Sequence, residues 1–350
     1  MIAGMSTPTP SPIRWGILAT GKIARTFAAD LALVPDADLV AVGSRSLAAA
    51  EAFAESLGDT HPGVRAHGSY AALVADPDVD VVYVASPHSL HLEHARLAFE
   101  AGKHVLCEKP LTLSAGDAEE LVALARRHDR FLMEAMWTAC HPVVRALASG
   151  LREGRVGTPR HLHAELGFVV DPDPASRMLD PALGASALLD MGIYPLTLAH
   201  LLLGEAVSLR AEADLSERGI DLDVAVVGRY AGGALATMTA SITSWSSRRA
   251  SIATDTGRIE LDDFHHPSVA RFTPYGAPGT DHQDADAAAV VEVRGEEPVL
   301  GLGYGNEIAE VGRCLRAGLR ESPVVPHEQT LVLMRQLDEI RAQVGVSFPS

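Results

Sequence analysis

The sequence predicts a two-part fold, in which an α/β half with a doubly wound parallel sheet precedes an α+β half with a large, mostly antiparallel, open-faced sheet. Up to about residue 138, strand and helix signals alternate, and the strands are almost continuously apolar, as in parallel strands buried on both faces. Beyond that point strand signals follow one another with few helices between them, which is typical of an antiparallel sheet. The 350 residues suit two domains. We therefore divide the chain into a disordered tail at 1–12, a first domain at 13–138 and a second, α+β domain at 139–350.

The first strand signal, at 13–18, leads into a turn that suits a dinucleotide. The segment 19–24 separates it from a helical pattern that continues to Leu31. The fingerprint G-x-G-x-x-G/A is matched with Ala19 at its first position, Gly21 at its second and Ala24 at its third. Backbone N–H groups at such a helix start bind the pyrophosphate, which predicts a Rossmann-type sheet. An ordinary βα turn is the alternative. The predicted cofactor-binding residues here are Ala19, Thr20, Gly21, Lys22 and Ile23.

The remaining elements of the first half continue the alternation. They are expected at 39–42, 47–57, 70–74, 79–85, 90–101, 104–107, 115–128 and 131–135. Ser114, with Asp117 three residues later, is typical of a helix N-cap. Ligands bind outside the carboxyl ends of parallel strands, so the residues that follow these strands are expected along one edge. They are Ser44, Arg45, Ser86, Pro87, His88, Glu108, Lys109 and Glu134.

The second half is expected to hold strands at 161–170, 207–214, 222–230, 234–244, 251–254 and 258–261. Helical patterns occur at 193–203 and, near the end of the chain, at 308–319 and 333–340. A large sheet with one uncovered face often associates with a second copy. A homodimer or homotetramer through this sheet is therefore expected.

Composition excludes several classes of function. The net charge of −16 argues against nucleic acid or an anionic membrane as partner. No apolar run approaches the length of a membrane span, and the tail lacks the apolar core of a signal peptide. The three cysteines, Cys107, Cys140 and Cys314, have no paired spacing, which predicts a reduced, cytoplasmic protein.

Three segments carry a family resemblance over nearly the whole chain. They are Arg14-Trp15-Gly16-Ile17, Glu108-Lys109-Pro110 and Asp190-Met191-Gly192-Ile193-Tyr194-Pro195. The chain resembles the glucose-fructose oxidoreductase, inositol dehydrogenase and MocA family. It looks most like the branch of dimeric dihydrodiol dehydrogenase and NADP-dependent D-xylose dehydrogenase, because Tyr194 stands where many other members carry a histidine. It departs from the pattern at Ala19 and at Ala139, where many relatives carry an arginine.

The resemblance implies a hydride-transfer site with Lys109, Asp190 and Tyr194 as catalytic residues. Oxidation of a secondary alcohol needs a base for the hydroxyl proton, and an ammonium close to a phenol favours the phenolate. We therefore expect Tyr194 to exchange the proton, Lys109 to lower the pKa of Tyr194, and Asp190 to orient a substrate hydroxyl or Lys109. The family also suggests a cis bond before Pro110. The alternatives are an exposed lysine, a core tyrosine and a helix N-cap at Asp190.

Cofactor choice depends on the end of the second strand, where NAD-preferring folds usually carry an acidic residue. Here the sequence is Ser44-Arg45-Ser46. Arg45 can bind a 2′-phosphate with charge-assisted hydrogen bonds, and Ser44 can add another. The cofactor is therefore predicted to be NADP, with NAD possible. The alternative is that Arg45 points to solvent and the enzyme does not discriminate.

The histidines His88, His91 and His94 invite a metal interpretation, which their spacing opposes. Three helical residues at i, i+3 and i+6 spread over the helix surface, and no cysteine or carboxylate completes a known ligand set. No metal is expected. His88 and His91 are instead expected beside the nicotinamide ribose, as the family suggests.

Glu134 and Trp137 lie where the first half hands over to the second, so both are predicted to contact substrate, beside Asp190 and Tyr194. An aromatic face beside polar groups suits a sugar, cyclitol or cyclic diol, although Trp137 as an interface residue is an equal alternative. The favoured function is an NADP-dependent dehydrogenase acting on a sugar, cyclitol or trans-dihydrodiol. Two alternatives remain: an enzyme that retains NAD(P) through transient oxidation of a sugar, and a regulator that binds nucleotide or sugar without catalysis.

Overall fold

The first half of the chain forms a six-stranded parallel sheet. The computed structural model describes residues 11–171, 173, 176–275 and 290–348, and the rest of the predicted tail lies outside these ranges. The strand order β3-β2-β1-β4-β5-β6 is that of a doubly wound dinucleotide fold, as predicted. The strands are β1 Ile13–Leu18, β2 Ala37–Gly43, β3 Arg65–His67, β4 Val81–Val84, β5 His104–Glu108 and β6 Leu132–Ala135.

Helices alternate with these strands. They are α1 Lys22–Leu31, α2 Leu47–Leu57, α3 Tyr70–Val74, α4 His91–Glu100 and α5 Ala115–Arg127. The N-cap predicted at Ser114 is confirmed, because its hydroxyl accepts the Asp117 N–H at 3.1 Å. The element expected at 70–74 is a helix, and the short strand β3 before it escaped prediction because Arg65-Ala66-His67 has no apolar alternation.

The second half forms an eight-stranded sheet in the order β14-β13-β12-β11-β7-β10-β9-β8, antiparallel except where β7 pairs with β10. Its strands are β7 Pro159–Gly167, β8 Ala206–Leu215, β9 Asp221–Tyr230, β10 Leu235–Ser241, β11 Ala250–Thr254, β12 Gly257–Leu261, β13 Ala270–Pro274 and β14 Val291–Val293. Its helices are α6 Trp137–Cys140, α7 Pro142–Arg152, α8 Ile193–Leu203, α9 Tyr304–Arg316 and α10 His327–Val344. The predicted fold class is confirmed.

The two faces of this sheet differ in exposure. Alternate residues of β9 and β10, such as Val226 and Met238, are buried against helices, whereas their neighbours Val227 and Thr237 are exposed. Val227 is 50% exposed in the middle of the sheet. The outer face is therefore open, as the sequence predicted.

The end of the chain returns to the parallel sheet. The edge strand β6 donates the Leu132 N–H to the Arg320 carbonyl at 3.1 Å, while the Leu132 carbonyl lies 2.9 Å from Nε2 of His327. On the opposite side, Asp30 of α1 accepts the N–H groups of Leu302 and Tyr304 at 2.8 and 3.0 Å. These bonds cover the sheet edge and tie the two halves together.

The expectation that no apolar run approaches the length of a membrane span is wrong, because one described stretch, Pro181–Leu203, is long and apolar enough to cross a membrane by length and composition. Its most apolar window is 83% buried inside the protein, because α8 packs against α6 and β7. Its burial is that of a core helix.

Candidate active site

The glycine turn keeps its geometry despite the alanine at its first position. Ala19 has φ of 79°, in the left-handed region that favours glycine, and donates its N–H to the Gly43 carbonyl at 3.0 Å. A Cβ on Gly21 would meet nothing within 4 Å, so open space lies before the start of α1. No side chain caps α1 and its first turn has no acidic residue. Its N–H groups therefore fit a pyrophosphate, with Lys22 and Ile23 in the first helical turn.

Residues after β2 lie beside this turn. Oγ1 of Thr20 is 3.4 Å from Oγ of Ser44, which joins the ends of β1 and β2. Arg45 is exposed, and within the described ranges its guanidinium has no ion-pair partner. The structure thus brings a hydroxyl pair and a cation without an ion-pair partner to the ends of β1 and β2, beside the predicted dinucleotide turn.

The segment after β4 presents Ser86 and hides His91. Ser86 is 7% exposed, and its hydroxyl has no hydrogen-bond partner in the described structure. The His91 ring is wholly buried, with Nδ1 2.9 Å from the Pro110 carbonyl and Nε2 2.9 Å from the Ser86 carbonyl. Burial lowers the pKa of His91 to about 4, so the neutral ring donates to one of these carbonyls. His91 therefore connects the loop that contains Ser86 to the loop that contains Pro110. Its predicted contact with the ribose has no support here.

Lys109 follows β5 and is buried, with 9% exposure. Its Nζ donates to the backbone carbonyl of Asp190 at 2.8 Å and lies 4.9 Å from the centroid of the Tyr194 ring. The bond to Pro110 is cis, as the resemblance implied. Glu108 accepts the Lys109 N–H at 3.1 Å and the Tyr83 hydroxyl at its other oxygen. The exposed-lysine alternative is therefore wrong.

Asp190 lies in a π-helical turn, Leu188–Gly192, just before α8. Its Oδ1 accepts from Arg177 at 3.2 Å and is 3.6 Å from Nε2 of His88. Burial raises the pKa of Asp190, but His88, Arg177 and Lys109 outweigh that effect and hold the pKa below its usual range. The carboxylate is therefore charged, and its buried Oδ2 has no protein partner in the described ranges. It caps no helix, so the N-cap alternative is wrong.

Asp221 sets the position of this π-helical turn. Its Oδ2 accepts the Leu188 N–H at 2.7 Å and the Ser186 hydroxyl at 3.0 Å. Because π-helical turns are rare and occur frequently at functional sites, the irregularity agrees with a site at Asp190. Nothing in the sequence pattern distinguished this turn from the helix that follows it.

Tyr194 is 5% exposed, and its oxygen accepts a hydrogen bond from Nε1 of Trp137 at 3.2 Å. Burial raises the pKa of Tyr194 well above its usual value, with Glu108 adding to the effect. The expected lowering by Lys109 is therefore wrong for this structure, because burial dominates and the ammonium lies over the ring rather than against the oxygen. Tyr194 is a neutral phenol here.

A wall of aromatic and imidazole rings surrounds Trp137. The His266 ring stacks on the indole at 4.7 Å, His265 meets it edge-on at 4.8 Å, and Tyr304 lies 5.6 Å away. His265 also packs edge-on against Tyr194 at 4.5 Å. Sequence reasoning missed the two histidines as part of this wall, since nothing near them in the chain links them to Trp137.

Glu134 does not join this group. Its two oxygens accept the Leu111 N–H and the Thr330 hydroxyl, both at 2.9 Å, and the side chain is 3% exposed. It connects the loop after Lys109 to α10, so a contact with substrate stays a prediction without geometric support. Within the described ranges, no group of three or more His, Cys, Asp or Glu side chains could hold a metal ion.

The site defines a nicotinamide-dependent oxidoreductase. It combines a parallel sheet of the dinucleotide-binding order and an uncapped helix start with a lysine, a tyrosine and a carboxylate that are buried close together. Family models agree: residues 13–136 match the GFO/IDH/MocA "Oxidoreductase family, NAD-binding Rossmann fold", and 144–260 match the GFO/IDH/MocA C-terminal domain. The chain belongs to the GFO/IDH/MocA oxidoreductase family. The predicted family, the enzyme class of dehydrogenase acting on CH–OH groups and the nicotinamide cofactor are confirmed.

Several named proteins are similar to this chain over almost its whole length. Trans-1,2-dihydrobenzene-1,2-diol dehydrogenases of Bos taurus and Homo sapiens are each 34% identical, over 96% of this chain and 98% of theirs. A 3-ketoreductase from Actinomadura kijaniata, solved with NADP and TDP-benzene, is 28% identical with a TM-score of 0.81, covering 97% of this chain and all of that one. An aldose-aldose oxidoreductase from Caulobacter crescentus, 22% identical with a TM-score of 0.83, covers 95% of this chain and 98% of its own and shares the fold.

Glu134→Gln should flatten the pH dependence of stability. Burial raises the pKa of Glu134 to about 7, whereas an unfolded glutamate titrates near about 4.3, so the folded state retains the proton that the unfolded state releases. This carboxyl therefore stabilises the fold at acidic pH, and that contribution is lost as pH rises towards 7. Between about pH 5 and pH 8 the wild type should lose about 2–3 kcal/mol of unfolding free energy that the variant retains.

The measurement is urea unfolding across this pH range, with Glu51→Gln on the exposed surface of α2 as the control. Wild-type and Glu134→Gln curves that run parallel with pH would contradict this assignment.

Proposed function

We propose that the chain is an NADP-dependent dehydrogenase of a ring-shaped vicinal diol, with a trans-dihydrodiol favoured and a sugar or cyclitol as the broader class. The observation that carries the proposal is the convergence of three partly satisfied polar groups, on Lys109, Asp190 and Tyr194, beside an aromatic wall. Relatives named trans-1,2-dihydrobenzene-1,2-diol dehydrogenase, aligned over nearly the full chain, favour the diol.

Each of the three groups keeps hydrogen-bonding capacity for a substrate. The Trp137 indole is only a donor, so the hydroxyl hydrogen of Tyr194 has no acceptor in that pair. The Lys109 ammonium has three hydrogens, and one described hydrogen bond uses one of them. Oδ2 of Asp190 accepts from nothing in the described structure. A secondary alcohol or carbonyl with a neighbouring hydroxyl supplies the missing partners.

The protonation state of Tyr194 suggests which direction runs readily near neutral pH. A neutral phenol is the correct form to donate a proton to a carbonyl oxygen, and the raised pKa of Tyr194 favours that form. Oxidation of an alcohol requires the phenolate, whose fraction rises with pH. A bound nicotinamide supplies or accepts the hydride. In our proposal Lys109 and Asp190 hold the substrate oxygens while Tyr194 transfers the proton.

The wall formed by Trp137, Tyr304, His265 and His266 supports a cyclic substrate. Ring faces and edges contribute apolar contact area, and the ionic groups of Lys109 and Asp190 match hydroxyls. A regulator that only binds nucleotide or sugar has no need for a buried proton-transfer group, so the same geometry disfavours that alternative. An enzyme that retains its cofactor stays open as the second function.

NADP is proposed over NAD because of Arg45. It is exposed at the end of β2, beside the Thr20–Ser44 pair, and has no ion-pair partner in the described ranges. A guanidinium without a carboxylate nearby is suited to a 2′-phosphate, and no acidic side chain follows β2 to repel it.

Tyr194→Phe and Lys109→Met should each abolish turnover while the nucleotide still binds. General acid–base groups contribute about 10²–10⁴-fold, so a loss of at least about 100-fold in kcat is expected for Tyr194→Phe. The measurement is reduction of NADP in the presence of a trans-dihydrodiol, trans-cyclohexane-1,2-diol, aldoses and inositols, with nucleotide affinity measured by fluorescence quenching.

The control is Tyr275→Phe, which removes a hydroxyl from a tyrosine that is 45% exposed. Near wild-type turnover by both site variants would exclude the assigned roles. Silence of the wild type on every substrate, with nucleotide firmly retained after purification, would favour the enzyme that keeps its cofactor.

Arg45→Ala should weaken NADP binding by about 10-fold or more and leave NAD binding almost unchanged, because a charge-assisted hydrogen bond contributes about 1.5–3 kcal/mol. Dissociation constants for both nucleotides give the ratio directly. Lys22→Ala, at the first position of α1, is the matched control, because it should affect both nucleotides alike. Equal weakening of both by Arg45→Ala would contradict the proposed discrimination.

We propose that a second copy of the chain covers the open face of the eight-stranded sheet. The exposed residues of its central strands include Val227 and Thr237, and an uncovered face of this width is typical of a self-association surface. The buried, unpaired thiols of Cys107, Cys140 and Cys314 support a cytoplasmic setting for the assembly.

Val227→Glu should shift the protein from oligomer to monomer, because it places a charge at the centre of the proposed interface. Light scattering after gel filtration measures the mass. Leu33→Glu, on the dinucleotide-binding half and 51% exposed, is the control and should leave the mass unchanged. A monomeric wild type, or an unchanged oligomer in Val227→Glu, would refute this interface.

A further inference from the structure

The oxygen of Tyr194 has one described hydrogen-bond partner, the indole of Trp137. Nε1 of Trp137 donates to it at 3.2 Å, and both side chains are buried. Lys109, the other cationic or donor group at hand, lies over the ring and directs its described hydrogen bond to the Asp190 carbonyl instead. The two donors therefore lie at different parts of Tyr194. The Lys109 ammonium lies over the ring, and the Trp137 indole N–H binds the oxygen.

The indole is held firmly in the orientation that this bond requires. His266 stacks on one face at an interplanar angle of 18°, and His265 closes one edge. Gly303, with φ of 111°, brings backbone against the ring, since a Cβ there would lie 3.0 Å from Cε3 of Trp137. His266 is itself tied by Nδ1 to the Leu302 carbonyl at 3.1 Å. The stacked His266, the edge-on His265 and the Gly303 backbone together hold the indole in the orientation that directs its N–H at Tyr194.

We propose that Trp137 is a catalytic donor, whose indole N–H stabilises the Tyr194 oxygen when that oxygen loses its proton to the substrate. The step balances when the hydride is counted: the Tyr194 O–H bond breaks, the proton forms a bond with the substrate oxygen, and the negative charge stays on the tyrosine oxygen, while a bound reduced nicotinamide would supply the hydride to the carbonyl carbon. The inference rests on the proposed role of Tyr194 and deepens it. It assigns to Trp137 a task beyond the cleft wall that the sequence suggested.

The chemistry favours a donor at this position. An indole N–H donates and never accepts, so it stabilises the charged oxygen without competing for the proton being transferred. A hydrogen bond to a charged oxygen in a water-poor site is stronger than one to a neutral oxygen, so the interaction strengthens as the reaction proceeds. That difference between the neutral and the charged state is what lowers a barrier.

Trp137→Phe removes the N–H and keeps an aromatic ring against His266. We expect kcat to fall about 10- to 100-fold, the size of one lost hydrogen bond to a charged group. The rising limb of the pH profile for alcohol oxidation should move upward by about one to two pH units, since the phenolate is then harder to form. KM for the alcohol and the affinity for nucleotide should change little.

The matched control is Trp245→Phe, at a tryptophan that is 78% exposed. If Trp137→Phe does not fold, a benzothiophene analogue of tryptophan introduced at position 137 keeps the ring shape and lacks only the N–H. A raised KM with an unmoved pH profile would overturn the proposal and make Trp137 a wall of the site. An unchanged kcat in Trp137→Phe, or in the protein with the benzothiophene analogue at position 137, would overturn it as well.

A readout without turnover distinguishes this inference from the proposed function. Protein labelled with ¹³C at tyrosine Cζ gives a signal for Tyr194, assigned by its loss in Tyr194→Phe, that responds to a hydrogen bond on the oxygen. A shift of this signal in Trp137→Phe supports the contact even if no substrate is found. An unshifted signal overturns the contact, whatever the activity of the wild type.

Discussion

The rest of the site depends on keeping the Lys109 ammonium in a nearly water-free position. Burial opposes the charge and lowers the pKa of Lys109, while Asp190 and Glu108 act in the opposite direction. Removing one partner of a buried charge is far more destabilising than losing a surface ion pair, so lysine, carboxylates and the backbone carbonyl of Asp190 act as one unit. The unit is incomplete, since Oδ2 of Asp190 and two ammonium hydrogens have no described partner. Buried polar groups that lack hydrogen-bond partners are expected at functional sites.

Three buried carboxyl groups position this unit by binding backbone N–H groups. Glu108 accepts from Lys109, Asp221 accepts from Leu188 and Glu134 accepts from Leu111. Each fixes a segment that precedes or follows a reacting side chain. The Asp221 and Glu134 bonds join parts of the chain that are far apart in sequence, whereas the Glu108 bond stays at the end of β5. A site assembled from a strand end, a π-helical turn and a short helix needs such ties, because side chains on loops are otherwise less precisely held.

Much of the first half was predictable because its signals are local. The helix at 47–57 and the cap at Ser114 follow from periodicity and from residue type, and the edge position of Lys109 follows from its place at the carboxyl end of a parallel strand. The placement of Trp137 against His265 and His266 was not predictable, since these residues are more than 120 positions apart and no local pattern joins them. The prediction that the pKa of Tyr194 is lowered was wrong for a similar reason. The sequence indicated a nearby ammonium, but the burial that raises this pKa depends on three-dimensional packing.

The return of the last segments to the parallel sheet has a consequence for how the protein is made. The N–H and the carbonyl of Leu132 on the edge strand bind residues that the ribosome adds about 190 positions later. The partners of Asp30, Leu302 and Tyr304, lie even further along the chain. The dinucleotide-binding half emerges first but cannot reach its final packing until the end of the chain arrives. During synthesis the open edge of β6 is a site for wrong pairing, and the segment 320–327 protects this edge only after it has been made.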